Sequence, residues 1–552
     1  MLDKHAAQAV WKKSSGPPLD FQEHLQRLEA EGLLLRIDRA IDKDTELHPL
    51  VRWQFQGGLA EDARRAFLFT NVVDGRGHRY DVPVAVGALA ASARIYAVGT
   101  GCAVEEIGDA WMQAIANPIV PVVVSAASCQ EVVVKGDALR KADGGLKLLP
   151  VPISTPGYDA APYLTATLCI TQDPETGIRN MGTYRAQLKA TDRLGVRMAA
   201  RPGGAGGYLH WRKYRKLKRP MPIAIVVGCA PVVMFTGPQK LPIDCDEMAV
   251  AGALAGAPIR TVKGVTVDLD VPADAEFVVE GLIDPELLEP EGPFGESHGH
   301  VALEGYNMSM QVTAITHKRK PVWLSILSEV TPSESSVMKR VAYEPRYLSH
   351  LCDTLAIKGV RRVVMHETLS NLRKIVFVQF APGVPRTEIW RALHGTATLQ
   401  ADIGKYVIGV SEDIDPENPD AVFWSLAYRA NPIEDVHIAP YRSRGHGPKS
   451  EGGGGEESTM LIDATQKTPD PPISLPKREY MERASAIWQE LGLPPLTPRQ
   501  PWHGYSLGDW DAVWDKYAER AVTGRWEETG KESFAHRRSG LTPETPVKSV
   551  KE

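Results

Sequence analysis

The sequence predicts a multidomain α+β protein, on three observations. Its 552 residues exceed one ordinary domain. Strand signals crowd residues 120–330 around one clear helix, which suggests a closed or split β-barrel. From about residue 340, helical and strand periods alternate, as in a small sheet layered with helices.

Taken in order, residues 1–118 read as an N-terminal α/β region. "DFQEHLQRLEAEGLLLRID", residues 20–38, predicts an amphipathic helix, with Leu25, Leu28 and Leu33 near helical spacing and Gly32 ending the helix. "RAFLFTNV" and "DVPVAVGAL" alternate as short strands do. Residues 119–332 form the strand-rich middle. "PVVVSAA", "YLTATLCITQD", "MPIAIVVGC", "VTVDLDV", "EFVVEGLI", "SMQVTAITH" and "PVWLSILSEV" are β-branched runs parted by Gly, Pro and Asp. The helix in this region is "CDEMAVAGALA", about 245–255, stopped by Gly256 and Pro258. Residues 333–476 are the α/β layer, 477–535 a helical extension, and 536–552 a tail expected to be disordered. Within 441–460, "YRSRGHGPKSEGGGGEESTM" is polar and Gly-rich, so mobility is expected there. No internal repeat is present.

A hydrophobic fraction of 43% with 24% charged residues is that of a soluble globular protein. The net charge of −5 is small for this size and decides nothing about a polyanion partner; no nucleic acid is expected. No apolar run is long enough for a membrane span. "MLDKHAAQAVWKKSS" lacks the apolar core of a secretory signal. The six cysteines are scattered and form no Cys-x-x-Cys pair, which fits reduced thiols and a cytoplasmic location.

The stretch "PEGPFGESHGHV" sets two carboxylates, Glu291 and Glu296, around a stiff Gly-Pro-Phe-Gly turn. It is either a polar surface loop or an acid/base site. His298 and His300 follow, on one side of any extended segment; such pairs bind metals, but His-x-His also arises by chance. "RNMGTYRAQ" places Asn180, Tyr184 and Arg185 around a glycine that lets backbone approach a ligand, though alone it reads as an ordinary hairpin. "RPGGAGGYLHWRKYRKLKR" offers a glycine nest for an anion. It lacks the Lys-Ser/Thr ending of a P-loop. Its six Lys and Arg between Arg212 and Arg219 read first as a solvated helix face. Glu247 opens the Ala-rich helix, where the helix dipole alone favours an acid.

In this order, "NMGTYR", the glycine loop ending in "LHW", "EMAVAGALAG", "VDLDVPADAEFVVEG" and "PEGPFGE" resemble the UbiD family of prenylated-flavin decarboxylases. "HLQRLEAEGLLLRID" and "STMLIDATQK" are similar to further landmarks of that family, so the resemblance spans about 20–470. It implies an N-terminal α/β region, a split β-barrel that binds prenylated FMN, and a C-terminal α/β domain for oligomerisation, as a dimer or hexamer. It also implies a divalent metal, Mn²⁺ or Mg²⁺, with K⁺, bridging the cofactor phosphate to the protein.

By resemblance, Asn180, His210 and Glu247 are the metal ligands, and hard oxygen donors with one imidazole suit those ions better than zinc. Met181, Gly182, Thr183, Tyr184, Arg185 and Leu209 join them around the cofactor. Arg185, Glu291 and Glu296 match the family's acid–arginine–acid network. Glu296 is assigned the proton that replaces CO₂, since a carboxylic acid in a dry pocket can hold a proton near neutral pH. The sequence departs from the family at "SHGHV", where His300 stands in place of a common aromatic residue.

The implied reaction is reversible, non-oxidative decarboxylation of an aromatic, heteroaromatic or α,β-unsaturated acid by covalent catalysis on the cofactor. A flavin prenyltransferase would supply that cofactor. An aromatic acyl-CoA is the alternative substrate, its phosphates meeting the basic run. A plain FMN oxidoreductase and a non-catalytic subunit are the readings from other classes.

Overall fold

The computed structural model describes residues 16–200, 205–241, 245–366, 373–400, 404–443, 457–468, 474, 476–496, 512–543, 545 and 547. Residues 201–204 of the glycine loop, 444–456 of the Gly-rich stretch, and 544, 546 and 548–552 of the tail lie outside the described residues. The chain divides into two compact units, residues 1–409 with 436–463 and residues 410–435 with 464–552.

In the first unit, Asp20 caps the helix Phe21–Ala30 by accepting the Glu23 N–H, and Phe21, Leu25 and Leu28 face the core. The helix stops at Gly32 as expected, and the rest of 20–38 is not helical. Gly32 turns the chain at φ +67°, and Leu34–Ile37 runs on as a strand. That strand pairs with Ala66–Phe69, which pairs with Val84–Val86. The fourth strand of this sheet, Trp323–Leu324, comes from the end of the strand-rich middle.

The middle of the chain builds one nine-stranded sheet. Its path runs Arg179–Gly182, Thr167–Gln172, Met221–Val227, Phe277–Glu291, Gly305–His317, Arg193–Val196, Ala186–Ala190 and Tyr163–Leu164, with Val132–Lys135 beside Gly305–His317. The hydrogen-bonded path has two ends, so among the described residues no barrel is closed. The chain nevertheless forces the sheet to curl. Arg179–Gly182 and Ala186–Ala190 stand near opposite ends of the path, yet only residues 183–185 join them. Four residue steps span at most about 14 Å. The seam is tied by Thr167, whose hydroxyl donates to the Tyr184 carbonyl at 2.6 Å. Among the described residues this stretch also holds the helices Asp137–Arg140, Gly206–Lys216 and Pro231–Thr236. The expected helix is Glu247–Ala255, capped by Asp246 and ended by Gly256.

Residues from 334 onward give the helix Glu334–Ser349 and a five-stranded sheet. Its order is Val360–Met365, Ile375–Phe380, Tyr406–Ser411, Glu457–Ala464 and Val436–Arg442. The second unit contains the helices Pro419–Arg429, Arg478–Glu490, Asp515–Val522 and Trp526–Ala535. A buried Arg429–Asp413 pair at 2.5 Å belongs to it. No helix of the described residues is long and apolar enough to cross a membrane. All six cysteines are free thiols.

Candidate active site

Arg185 leaves the seam of the curled sheet between two acids. Its Nε donates to Glu291 Oε1 at 2.7 Å and its Nη2 to Glu291 Oε2 at 2.9 Å, a bidentate pair. Its Nη1 donates to Glu296 Oε1. The Glu291 side chain is 0% exposed, Arg185 8% and Glu296 12%. Burial works against the Arg185 charge. The hydrogen bond to Glu291 and the charges of both acids outweigh it and hold the guanidinium above its usual pKa. The Phe294 ring lies 4.6 Å from the guanidinium carbon and the Tyr163 ring 5.9 Å, so aromatic faces flank the cation.

Glu291 ends the long strand Phe277–Glu291 and Glu296 follows the two-residue strand Phe294–Gly295. The turn between them contains Gly292 and Pro293, as the turn chemistry requires. Phe294–Gly295 pairs back onto Val301–Ala302, and the Glu296 N–H donates to the His300 carbonyl at 3.0 Å.

A second group of polar residues gathers at the other side of the seam. Asn180 is in the edge strand Arg179–Gly182 and donates through Nδ2 to the Tyr184 hydroxyl at 3.1 Å. Its neighbour Met181 donates its N–H to Glu247 Oε2 at 3.1 Å. Across the ladder from Asn180 stands Thr171, whose hydroxyl lies 2.9 Å from His210 Nδ1. One strand pair thus links the three elements that carry the amide, the carboxylate and the imidazole. Gly206 closes against them: a Cβ there would come 1.9 Å from Asn180 Oδ1, so a larger residue would displace the Asn180 amide. Burial pushes Glu247 up to about 7, and burial lowers His210. Tyr184 is pushed up to about 12, again by burial first, so its hydroxyl stays neutral.

These residues fit a hard divalent ion. Amide oxygen, carboxylate and one imidazole are its ordinary donors. Thr171 on Nδ1 would orient the His210 ring and leave Nε2 as the coordinating atom. No cluster of three or more His, Cys, Asp or Glu side chains suited to a metal occurs among the described residues. The set here has two such residues and an amide.

The other expected residues are less uniform. Met181 is buried and Gly182 lies beside it, while Thr183 is exposed. Leu209 is 54% exposed on the helix that carries His210. His298 and His300 sit on a turn and not on an extended segment, with ring centroids 6.0 Å apart. The basic run lies on an exposed helix face and just beyond it. Its Lys213 is taken up by Asp173 at 2.6 Å and Glu175 at 2.9 Å.

Four residues that sequence reasoning missed shape the site. Asn307 donates to Glu291 Oε2 at 3.2 Å. Arg197 stands 3.8 Å from Glu296 Oε1. Thr171 holds His210, and Asp159 accepts the Gly295 N–H at 2.9 Å. Each is an ordinary polar residue in a strand or loop. Only strand pairing, which brings distant segments together, marks them.

A family model described as the UbiD 3-octaprenyl-4-hydroxybenzoate carboxy-lyase Rift-related domain matches residues 122–330, and the model of the corresponding C-terminal domain matches 337–464. An uncharacterized protein of Synechocystis sp. is 30% identical over 521 residues, which cover 89% of this chain and 96% of that protein. The UbiD-class enzyme HmfF from Pelotomaculum thermopropionicum, solved in complex with FMN, superposes with a TM-score of 0.73 at 29% identity, covering 84% of this chain and 99% of HmfF. An evolved dimeric form of HmfF in complex with prenylated FMN gives 0.72 at 28% identity, covering 85% and 100%. With family models running from residue 122 to 464 and a relative matched over nearly its whole length, this chain belongs to the UbiD family of carboxy-lyases.

Proposed function

We propose that this chain is a prenylated-FMN-dependent decarboxylase of an aromatic, heteroaromatic or α,β-unsaturated carboxylic acid, with Glu296 as the proton donor. The observation that carries the reading is the buried Glu291–Arg185–Glu296 network, in which one cation bridges two acids. The FMN and prenylated-FMN complexes of HmfF support the choice of cofactor.

Asn180, His210 and Glu247 would hold Mn²⁺ or Mg²⁺ against the cofactor phosphate, with K⁺ as a further ion. Met181 to Arg185 would line the cofactor. When bound, prenylated FMN supplies the electron sink that loss of CO₂ requires. The protein's task is then to place charge and deliver a proton. Arg185 cannot lose its own proton. It fixes Glu296 through Nη1 while its other edge is held by Glu291. Glu296 delivers a proton to the substrate carbon that CO₂ leaves, and water returns it afterwards. Tyr163 and Phe294 pack against the guanidinium and limit water there.

A small free acid is favoured over an acyl-CoA. The basic face that would receive CoA phosphates has its Lys213 already engaged by two acids. The dimeric form of HmfF supports a homo-oligomer.

The test is co-expression with a flavin prenyltransferase and a screen of aromatic and heteroaromatic acids. CO₂ release that depends on the prenyltransferase is expected. Oxidation of a reduced nicotinamide by protein loaded with plain FMN, without CO₂ release, would point to an oxidoreductase instead.

A further inference from the structure

We propose that Asp159 is a positioning residue that holds the Glu296 loop in register with Arg185, an inference that rests on the decarboxylase reading above. Asp159 lies in the loop just before the strand Tyr163–Leu164, more than a hundred residues before the acid it serves. Its Oδ1 accepts the Gly295 N–H at 2.9 Å. Its Oδ2 accepts the N–H groups of Thr155 at 2.7 Å and Ser154 at 3.1 Å. The next residue grips the same loop: the Ala160 N–H donates to the Pro293 carbonyl at 3.0 Å. Tyr163 Oη reaches that carbonyl too, at 3.4 Å.

These contacts leave the main chain before Glu296 little freedom. Gly295 is bound by Asp159 on one side and pairs with Val301 on the other. It is also walled in. A Cβ at 295 would meet Thr155 Oγ1 at 2.2 Å and Glu329 Cγ at 3.2 Å. The Glu296 N–H is spent on the His300 carbonyl. What remains adjustable is the Glu296 side chain, and Arg185 takes its Oε1.

The two acids of the network are thus held by different devices. Glu291 ends a strand of the curled sheet and is gripped through its side chain by Arg185 and Asn307. Glu296 stands on a short excursion and is aimed through its backbone, from Asp159. Three N–H donors on two oxygens call for a carboxylate. Burial raises Asp159 to about 6, the N–H groups pull it down and Glu329 pushes it up, so above that pH it is mainly ionised and can accept all three.

A misplacement of about 1 Å at a reacting group costs on the order of 10²-fold in rate. Asp159→Ala and Asp159→Asn are to be made in the full chain, co-expressed with a flavin prenyltransferase. The readouts are kcat and KM separately, flavin content, and hydrogen–deuterium exchange of residues 290–302 without substrate. Asp159→Ala is expected to lower kcat by about 10²-fold, keep KM and flavin content near wild type, and speed exchange of the 290–302 segment. Asp159→Asn retains one acceptor oxygen and is expected to fall between the two. Wild-type kcat in Asp159→Ala overturns the proposal. So does loss of flavin in step with kcat in both variants, which would mark general structural support. Exchange unchanged from wild type overturns it even before a substrate is found. If exchange is released but wild type decarboxylates no acid, the clamp stands and the decarboxylase reading falls.

Discussion

At the Arg185 end of the site, buried charge meets buried charge. Glu291 is enclosed, and a guanidinium grips both its oxygens while Asn307 adds a third bond. At the Asn180 end the partners are mostly neutral. Asn180 rests on a phenol, His210 on a threonine hydroxyl, and Glu247 on its own backbone N–H and that of Met181, with the Asp246 charge opposing its ionisation and Arg179 favouring it more weakly. The surroundings of the two glutamates differ accordingly. Burial drives Glu247 up to about 7, whereas Glu291 has its counter-ion in direct contact. Burying an acid is tolerated where a cation and hydrogen bonds compensate it. One end has that cation in its own sequence. The other has the donor set for a metal cation, and this is the physical sense of the proposed division between an acid–base half and a cofactor half.

The largest effect is expected from removing the built-in cation. Arg185→Met leaves Glu291 buried without its counter-ion, and breaking such a pair costs about 3–5 kcal/mol. Decarboxylation should fall to background, and denaturant unfolding should show a lowered midpoint with an unchanged slope. A stable, active variant would show that Glu291 is compensated elsewhere.

Next comes the cofactor half. Glu247→Ala is expected to purify with little metal and little flavin while its unfolding midpoint stays near wild type. Treating wild type with a chelator should loosen flavin in the same direction. Elemental analysis and the flavin spectrum report both. Full flavin content in Glu247→Ala would place the phosphate on other groups.

A smaller effect is expected behind the imidazole. Thr171→Val removes the hydroxyl that holds His210 Nδ1 and keeps the side chain's shape. Partners of this kind are worth about 10–100-fold in metal affinity. A metal titration monitored by flavin retention measures it, and an unchanged affinity would remove His210 from the ligand set.

The smallest effect is expected on the basic face. Arg212→Glu with Lys216→Glu changes two exposed charges. KM for a small acid should be unchanged at low and high salt, because exposed charges are screened within about 10 Å at 0.1 M ionic strength. A KM that climbs with these reversals, and with salt in the wild type, would restore the acyl-CoA reading.

The candidate site residues are nameable from the sequence through the family resemblance of short motifs that, taken alone, read as ordinary. "NMGTYR" and "EGPFGE" carry Asn180, Arg185, Glu291 and Glu296. Their assembly follows only from the family resemblance and from no local pattern, since Arg185 meets acids 106 and 111 residues away. Asp159 and Asn307 were missed because an aspartate in a Gly-Pro-rich loop and an asparagine in a strand look ordinary until pairing brings them to their partners. Fold reading shows the same limit. Four β-branched runs, "YLTATLCITQD", "MPIAIVVGC", "EFVVEGLI" and "SMQVTAITH", mark strands of the nine-stranded sheet, whereas "PVVVSAA", "VTVDLDV" and "PVWLSILSEV" give only short strands of other sheets, and Phe277–Glu291 extends far beyond "EFVVEGLI". Pro285 and Pro290 argue against a strand there, and the sheet absorbs the first at a register shift between Ile283 and Leu288. The bounds 20–38 take "LLLRID" in with the helix because a short apolar run suits either period. Gly32, expected to end the helix, does so at positive φ, and a strand follows.

The central claim is that Glu296 supplies the proton. Its direct measurement is steady-state decarboxylation by Glu296→Gln, loaded with prenylated FMN beside wild type. The account predicts normal flavin and metal content with product formation reduced by about 10²-fold or more. Turnover close to wild type in the fully loaded variant would contradict it and pass the proton to another group.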